Sequence, residues 1–395
     1  MENELLVQEA YYGKLPEFNQ LEELLDSVIK KIKKQKNSNP NKFPEMRKIQ
    51  NIFSKVFGFK KSIVYWEALE VENAYTIPMN TLVIFAHKGK DWIQKTDHGF
   101  YDTSHTSILT VYLGIGLVTL SNLTARELLA CILHEIGHNF DESGYHMLNY
   151  HMTNILNLGL CTIEEKNKNM DYVNKQKERY DKQIKKENNK YYNNTARRKK
   201  ESKRYLENIK NNEKVKGIFH FIMFPCTALG FLFYDVLFAP LTQTVTLAGK
   251  KSEIFADSFA TAYGYGTDLI TALQKLSKVK KYYNPKSGIA KFFQDFGQLQ
   301  TEIFSAFNDV HGTNQERCME CKRKLMDDLK KNDFPPELKQ ELLNEIESLN
   351  KKYKELRSFS ESERMVLCTI WRKINGIIFR GRPTIFHRLF KSNKV

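Results

Sequence analysis

Two histidines and one glutamate stand at a spacing that suits metal-assisted hydrolysis, in the run His134-Glu135-Ile136-Gly137-His138. Because an α-helix turns by about 100° per residue, His134 and His138 project from one face and offer two imidazole nitrogens to one ion. Zinc favours such ligands, and Glu135 beside them would take a proton from the metal-activated water and later protonate the leaving amine. The run predicts one catalytic Zn²⁺ ion and a zinc metallopeptidase that cleaves a protein or peptide substrate. A structural helix with satisfied histidines, or a decayed site, is the alternative interpretation.

A third metal ligand is predicted at Glu253, at the start of a later stretch rich in apolar residues. Catalytic zinc takes three protein ligands and keeps one open position, and a carboxylate from a later helix is a common third ligand. Asp257 lies one helical turn on, where it would accept an N–H from His134. Phe255 and Phe259 flank the two acids, and an unpaired carboxylate would be costly to bury among them. Metal coordination would remove that cost.

The motif needs a helix, and the residues before it predict one. Thr124 or Asn122 can cap this helix, and residues at helical spacing give it a buried face: Leu128, Leu129, Ile132 and Leu133. Upstream, short β-rich runs predict a small sheet at residues 63–66, 81–85 and 108–112. We therefore predict an α+β fold that is mainly helical, with a small mixed sheet near the active-site helix.

Composition divides the chain into a core and charged additions. Runs rich in Lys, Glu and Asn, with few aliphatic residues, predict long charged helical insertions. The predicted parts are an N-terminal helical extension (1–60), the first part of the metallopeptidase core (61–163), a charged helical insertion (164–216), the second part of the core with an apolar segment and the third ligand (217–310), another charged helical insertion (311–364) and a C-terminal segment that packs on the core (365–395).

The formal net charge of +15 suits an acidic partner, and much of this charge lies in residues 166–216. A charged surface insertion without a partner is one interpretation of that run. The competing functional hypothesis is a structural or binding protein, such as a phage particle component, that uses the same fold and this basic insertion to contact nucleic acid or an anionic membrane. Binding with a steep salt dependence would favour the second hypothesis.

Residues 217–249 carry one formal charge, at Asp235, over a length that exceeds the roughly 20 residues needed to span a bilayer. His220, Pro225 and Pro240 interrupt this stretch, so it fits either a buried or interfacial helix or a membrane span. The first residues lack the basic and apolar regions of a secretory signal, and six scattered cysteines suit a reducing compartment. We expect an intracellular protein, with association with a membrane or a virion left open.

Several of these motifs, in this order, resemble the gluzincin family of HtpX-like proteases and CAAX prenyl endopeptidases. Residues 115–117 resemble the family's strand and Gly-Leu turn, and the His134 motif resembles its active-site helix. Residues 253–257 resemble its third-ligand helix, and residues 268–276 resemble the short helix that follows. The resemblance covers residues 60–160, 217–280 and 377–390, and it implies a zincin-like core with zinc-dependent endopeptidase activity.

The resemblance also implies roles for residues that do not bind metal. Asn73 and Ala74 lie in a run similar to the family's Asn-Ala-Phe segment, which implies that they bind extended substrate by strand addition. Residues 382–389 are similar to the family's terminal motif, which implies that Arg388 binds the substrate carbonyl or stabilises the developing oxyanion. Arg382 stands where the family has histidine, and a basic C-terminal tail is the alternative interpretation.

Cys318 and Cys321 have the spacing of half a structural zinc site. His311 or Cys368 would complete such a site if the fold brought them near. Two thiols on adjacent turns of an ordinary helix are the simpler interpretation of this pair.

Overall fold

Helices make up most of the fold, and three strands form one small sheet beside them. The computed structural model describes residues 11–35, 38–76, 108–140, 166–205, 207, 252–279 and 314–356. In chain order the elements are α1 (Pro16–Lys34), α2 (Pro44–Phe57), β1 (Lys61–Glu67), β2 (Ala74–Thr76), β3 (Ile108–Gly114), α3 (Gly116–Thr119), α4 (Ala125–Gly137), α5 (Lys166–Tyr192), α6 (195–205), α7 (252–262), α8 (Gly266–Val279), α9 (Asn314–Lys331) and α10 (Pro336–Leu356). For these residues the prediction of a mainly helical α+β fold is confirmed.

The sheet is mixed, as predicted, and has the strand order β1-β3-β2. β1 runs parallel to β3 and pairs Lys61 with Ile108, whereas β2 runs antiparallel to β3 and pairs Thr76 with Val111. β3 is buried along its whole length, which suits a central strand. β1 and β3 contain two of the three predicted strands, and residues 81–85 lie outside the described part of the chain. β2 was not predicted as a strand.

Close packing at the end of β3 brings β2 into the sheet. A Cβ on Gly114 would clash with the carbonyl oxygen of Val71, and a Cβ on Gly116 would come within 2.6 Å of the same oxygen. The backbone N–H of Gly114 donates to the carbonyl of Asn73 at 2.8 Å. The glycines therefore let the chain before β2 pass directly over the end of β3.

One hydrophobic core joins the N-terminal helices to the sheet and to α4. α1 buries one apolar stripe, for example at Leu21 and Leu25. Phe57 at the end of α2 packs its ring 5.6 Å from that of Phe259 in α7 and 6.3 Å from that of Phe140. From residue 11 onward, the predicted N-terminal extension thus shares the core that carries the motif.

The motif lies on the last turn of α4, which begins with a capping box. Of the two predicted caps, Thr124 takes this position: its Oγ1 accepts the Glu127 N–H at 3.3 Å, and the Glu127 carboxylate accepts the Thr124 N–H at 2.8 Å. Lys275 of α8 pairs with the same carboxylate at 2.7 Å. Two buried helices are therefore joined at the start of α4, and the helix ends at Gly137 with His138 as its C-cap.

The predicted charged insertion at 164–216 contains α5 and α6, and it lies against the sheet. Its buried side chains are polar: Asn188 accepts the N–H of Ala68 at 2.7 Å, and Tyr192 donates to the carbonyl of Trp66 at 2.7 Å. In α6, Ser202 accepts the N–H of Glu70 at 3.2 Å. The insertion therefore satisfies backbone groups at the end of β1 that would otherwise need other partners.

The second predicted insertion contains the helical pair α9 and α10, which residues 332–335 separate. The two helices enclose an apolar cluster with Cys318, Cys321, Leu325, Leu342 and Leu349. Both helices also contact α8. This pair therefore packs against the helix that follows the predicted third ligand.

Three predicted features lie outside the described residues: the apolar segment 217–249, the C-terminal segment 365–395 and the half-site partners His311 and Cys368. Among the helices that the structure does describe, none combines the length and the apolar character needed to cross a bilayer. Both interpretations of residues 217–249 therefore stay predictions.

Candidate metal centre

Two helices approach closely where the motif meets the predicted third ligand. α4 presents Gly137 to α7, and a Cβ on this glycine would lie 2.9 Å from the Cα of Ala256. Because neither residue carries a bulky side chain, the two helix backbones come together here. This approach places His134 and His138 opposite Glu253.

His134, His138 and Glu253 form a compact cluster of potential metal ligands. The Nε2 atoms of the two histidines lie 3.2 Å apart. One Glu253 oxygen lies 3.4 Å from Nε2 of His134, and the other lies 3.4 Å from Nε2 of His138. The structure thus brings together the three ligands that were predicted from separate parts of the sequence.

Hydrogen bonds on the far side of each imidazole turn the Nε2 electron pairs toward the centre of the cluster. Nδ1 of His134 lies 2.9 Å from a carboxylate oxygen of Asp257, which can only accept, so Nδ1 carries the proton. Nδ1 of His138 lies 3.1 Å from the Ser252 hydroxyl, which can accept a hydrogen bond from it. With each ring neutral and its proton on Nδ1, both Nε2 atoms would present electron pairs, as metal-ligating histidines do.

The donor atoms are close enough together to hold one ion. Zinc–nitrogen and zinc–oxygen bonds of about 2.0–2.1 Å place two ligand atoms about 3.3 Å apart at tetrahedral angles. In the cluster the two Nε2 atoms lie 3.2 Å apart, and each lies 3.4 Å from a different oxygen of the Glu253 carboxylate. Three carboxylates, those of Glu135, Glu253 and Asp257, surround a single guanidinium in this buried region, and a divalent cation would offset the excess negative charge.

Arg317 of α9 reaches the centre from the second charged insertion. Its Nε donates to one oxygen of Asp257 at 2.7 Å, and its Nη2 donates to the other at 2.5 Å. Nη2 also lies 3.7 Å from Glu253 and 3.4 Å from Nδ1 of His134. Since Arg317 and Asp257 are both buried, this two-point pairing fixes the carboxylate that orients His134.

Arg317 is a charged site residue that sequence reasoning missed. A cationic residue at the site was expected at Arg388, which lies outside the described residues. The available signal was periodicity: Arg317, Cys321 and Leu325 recur every four residues, so the arginine belongs to the face that α9 buries. An arginine on a buried helical face needs an acidic partner, and the position of that partner depends on the tertiary fold.

Glu135 lies beside the potential ligands and next to β2, which is at one edge of the sheet formed by the described residues. The backbone of Thr76 in β2 forms a hydrogen bond with its carboxylate. Burial raises the pKa of Glu135 to about 7, with His134 opposing the shift and Glu253 adding to it. A carboxylate with a pKa near neutrality can take up and release a proton at neutral pH, as a general base must.

Burial and charged neighbours shift the pKa values of the other site residues in different directions. Burial lowers the pKa of His134, but hydrogen bonds to Asp257 and Glu253 outweigh burial and raise it to about 10. Burial and the adjacent His134 lower the pKa of His138 to about 3. Burial would raise the pKa of Asp257, yet Arg317 and His134 hold it below its usual value. A metal ion and a proton would therefore compete for the same place.

The two residues assigned to substrate lie along the sheet edge. Asn73 is exposed just before β2, and its carbonyl accepts the N–H of Gly114. Ala74 begins β2 and pairs with Leu113 of β3. Both residues are therefore close in sequence to Thr76, which contacts Glu135.

Cys318 and Cys321 are buried free thiols in the apolar cluster of α9 and α10. Cys318 Sγ donates to the carbonyl of Leu349 at 3.4 Å. Burial raises the pKa of the Cys318 thiol to about 11, which disfavours the thiolate that zinc requires. Within the described part of the chain, the His134 cluster is the one group of His, Cys, Asp and Glu side chains placed to hold a metal ion.

The chain was compared with protein-family models, curated proteins and solved structures. No protein-family model, curated protein or solved structure matches this chain. The function is therefore inferred from the placement and chemistry of the side chains.

Proposed function

We propose that this protein is a zinc-dependent endopeptidase with a zincin-like core. The observation that carries the proposal is the cluster of His134, His138 and Glu253, whose potential ligand atoms all lie within 4.8 Å of one another, with Glu135 beside them. Two histidines, one glutamate and an open fourth position form a donor set of catalytic zinc sites. The edge strand β2 next to Glu135 adds the surface on which a peptide would lie.

The residues of the site would have two roles, which are to hold the ion and to transfer a proton. His134, His138 and Glu253 would hold the ion, and bound zinc would supply a Lewis acid that polarises a water molecule and the scissile carbonyl. Glu135 would accept a proton from the attacking water and pass it to the leaving amine nitrogen. Asp257 orients His134 by accepting its Nδ1–H.

The proposed substrate is a polypeptide in an extended conformation. β2 forms the edge of the described sheet, and Thr76 connects this edge to the carboxylate of Glu135. A peptide that added a strand along this edge would therefore pass the general base. Asn73 and Ala74, to which the resemblance assigns substrate contact, lie at the start of the same edge.

A paired measurement of metal content and cleavage tests this proposal. The purified full-length chain and its Glu135→Gln variant would be loaded with zinc, analysed for bound metals and incubated with a peptide library. We expect one zinc ion per chain in both proteins, with cleavage lowered about 10²- to 10⁴-fold in the variant because it lacks the base. Failure of both proteins to retain zinc, or equal cleavage by the two proteins, would overturn the proposal.

A further inference from the structure

Lys177 of α5 is fully buried at the junction between the first charged insertion and the metal centre. Its Nζ donates to the carbonyl of Ile108, the first residue of β3, at 2.6 Å. A second, longer hydrogen bond of 3.4 Å runs to Oδ1 of Asn139. Lys177 thus connects the insertion both to the central strand and to the residue that follows His138.

Asn139 connects the end of the motif helix to the edge strand. Its Nδ2 donates to the carbonyl of Glu135 at 3.1 Å and to Oγ1 of Thr76 at 3.0 Å. Because Oδ1 is held by Lys177, the amide group is oriented with Nδ2 toward these two acceptors. One amide therefore sets the distance between the last turn of α4 and β2.

Thr76 carries this connection to the general base. Its hydroxyl donates to the carbonyl of Thr110 in β3 at 2.5 Å, and its backbone forms a hydrogen bond with the Glu135 carboxylate. The same residue thus contacts the sheet, Asn139 and Glu135. A displacement of Asn139 would move the edge strand relative to the carboxylate.

A lysine is a costly residue for this position unless it has a specific task. Burial lowers the pKa of Lys177 to about 7, which shows how strongly the surroundings disfavour its charge. An apolar side chain of similar length would fill the same space without that cost. Its donors, however, are what hold the Ile108 carbonyl and the Asn139 amide in place.

We infer that Lys177 is a positioning residue through which the charged insertion holds Asn139, and with it the alignment of the edge strand with Glu135. The inference rests on the proposed function for its catalytic consequence. Its structural consequence, a fixed contact between the last turn of α4 and β2, holds for any activity of the site. The insertion is therefore part of the site's architecture.

The test compares Lys177→Met with Tyr192→Phe in the full-length, zinc-loaded chain. Lys177→Met removes the donors and keeps the length of the side chain. Tyr192→Phe is the matched control, because it removes another hydrogen bond between α5 and the sheet, to Trp66, and does not involve Asn139. We expect Lys177→Met to lower kcat about 10- to 100-fold with KM nearly unchanged, and Tyr192→Phe to change neither.

Hydrogen exchange gives a second readout that needs no peptidase activity. We expect backbone amides in residues 70–76 and 134–140 to exchange faster in Lys177→Met than in Tyr192→Phe. This result would support the inference even if no peptide were cleaved, a case in which the proposed function alone would fail. Unchanged exchange in Lys177→Met, or equal losses of kcat in the two variants, would overturn it.

Asn139→Ser keeps the test decisive if Lys177→Met does not fold. This variant leaves Lys177 bonded to Ile108 and removes the amide through which it acts. We expect the same loss of kcat as from Lys177→Met and, where the double variant folds, no further loss on combining them. Full kcat in Asn139→Ser would contradict the inference.

Discussion

Arg317 and Asp257, which lie 60 residues apart, form a buried two-point ion pair with N–O distances of 2.7 and 2.5 Å. The same Asp257 accepts a hydrogen bond from the candidate metal ligand His134. The helical pair α9 and α10 is thereby joined to the metal centre through one carboxylate. Stability of the fold and geometry of the site therefore depend on the same contact.

Loss of Arg317 should destabilise the protein strongly. Arg317→Ala leaves Asp257 buried beside Glu253 without its cation, and removing one partner of a buried ion pair costs about 3–5 kcal/mol of unfolding free energy. Arg323→Ala on the same helix is the matched control, since the Arg323 side chain is 69% exposed and its pairing with Glu320 should contribute less than about 1 kcal/mol. Urea unfolding of both variants measures this difference. Equal losses of unfolding free energy would show that the buried pair with Asp257 stabilises the protein no more than the exposed pair with Glu320.

Asp257→Asn should weaken zinc binding without removing a ligand. The variant keeps an oxygen that can accept the Nδ1–H of His134 but loses the charge that strengthens this bond. Partners that orient metal-ligating histidines typically contribute 10- to 100-fold in metal affinity, so we expect a loss of about that size. Competition with a chelator measures it. Asp268→Asn, which changes the partly exposed pair with Arg126, is the control and should keep full affinity.

Gly137→Ala should reverse the usual effect of this substitution. In an ordinary helix, alanine is more favourable than glycine by about 1 kcal/mol. At Gly137 the added methyl group would lie 2.9 Å from the Cα of Ala256 and push α4 away from α7. We expect a loss of about 1–3 kcal/mol in unfolding free energy, together with weaker zinc binding. A more stable variant with unchanged zinc affinity would show that the two helices do not need this close approach.

Lys177 should make stability depend on pH. Its pKa is about 7 in the folded protein against an ordinary value of 10.5, so between these values the unfolded chain binds a proton that the folded chain lacks. The free energy of unfolding therefore rises with pH through this window. We expect wild type to gain stability relative to Lys177→Met between pH of about 7 and about 10. A constant difference in chemical denaturation across this range would argue against a lowered lysine pKa.

The candidate metal ligands could be predicted from the sequence because their pattern is local. His134 and His138 are one helical turn apart, and so are Glu253 and Asp257, so helix geometry alone predicts which side chains share a face. Phe255 and Phe259 indicated that the second helix is buried, and Glu253 and Asp257 on a buried helix indicated a functional site. The pairing of the two helices then followed from the number of ligands that zinc requires.

The contacts that the charged insertions make with the sheet and the site could not be predicted from the sequence in the same way. α5 buries a stripe of polar residues, among them Asn174, Lys177 and Asn188, so its apolar periodicity gave no sign of a packed face. These side chains are buried because they bond backbone groups of the sheet, which depends on long-range pairing. The role of Arg317 was not predicted for the same reason, since its partner Asp257 lies on a helix that is distant in sequence.

The competing hypothesis of a basic insertion that contacts nucleic acid or an anionic membrane stays a prediction. It would use the outward face of α5 and α6, where exposed cations such as Lys182, Lys186, Lys199 and Lys203 outnumber exposed acids. Binding to a polyanion with a steep loss of affinity as salt rises would favour it. Such binding would leave the metal centre untouched, so both functions can be measured on the same protein.

X-ray absorption at the zinc edge of the loaded protein tests the central claim most directly, because it reports which atoms bind the ion. We predict two imidazole nitrogens and carboxylate or water oxygens at about 2.0–2.2 Å, with one fewer imidazole in His138→Ala. Sulfur at about 2.3 Å would place the ion at cysteines such as Cys318 and Cys321 instead, and would contradict a catalytic centre built from His134, His138 and Glu253.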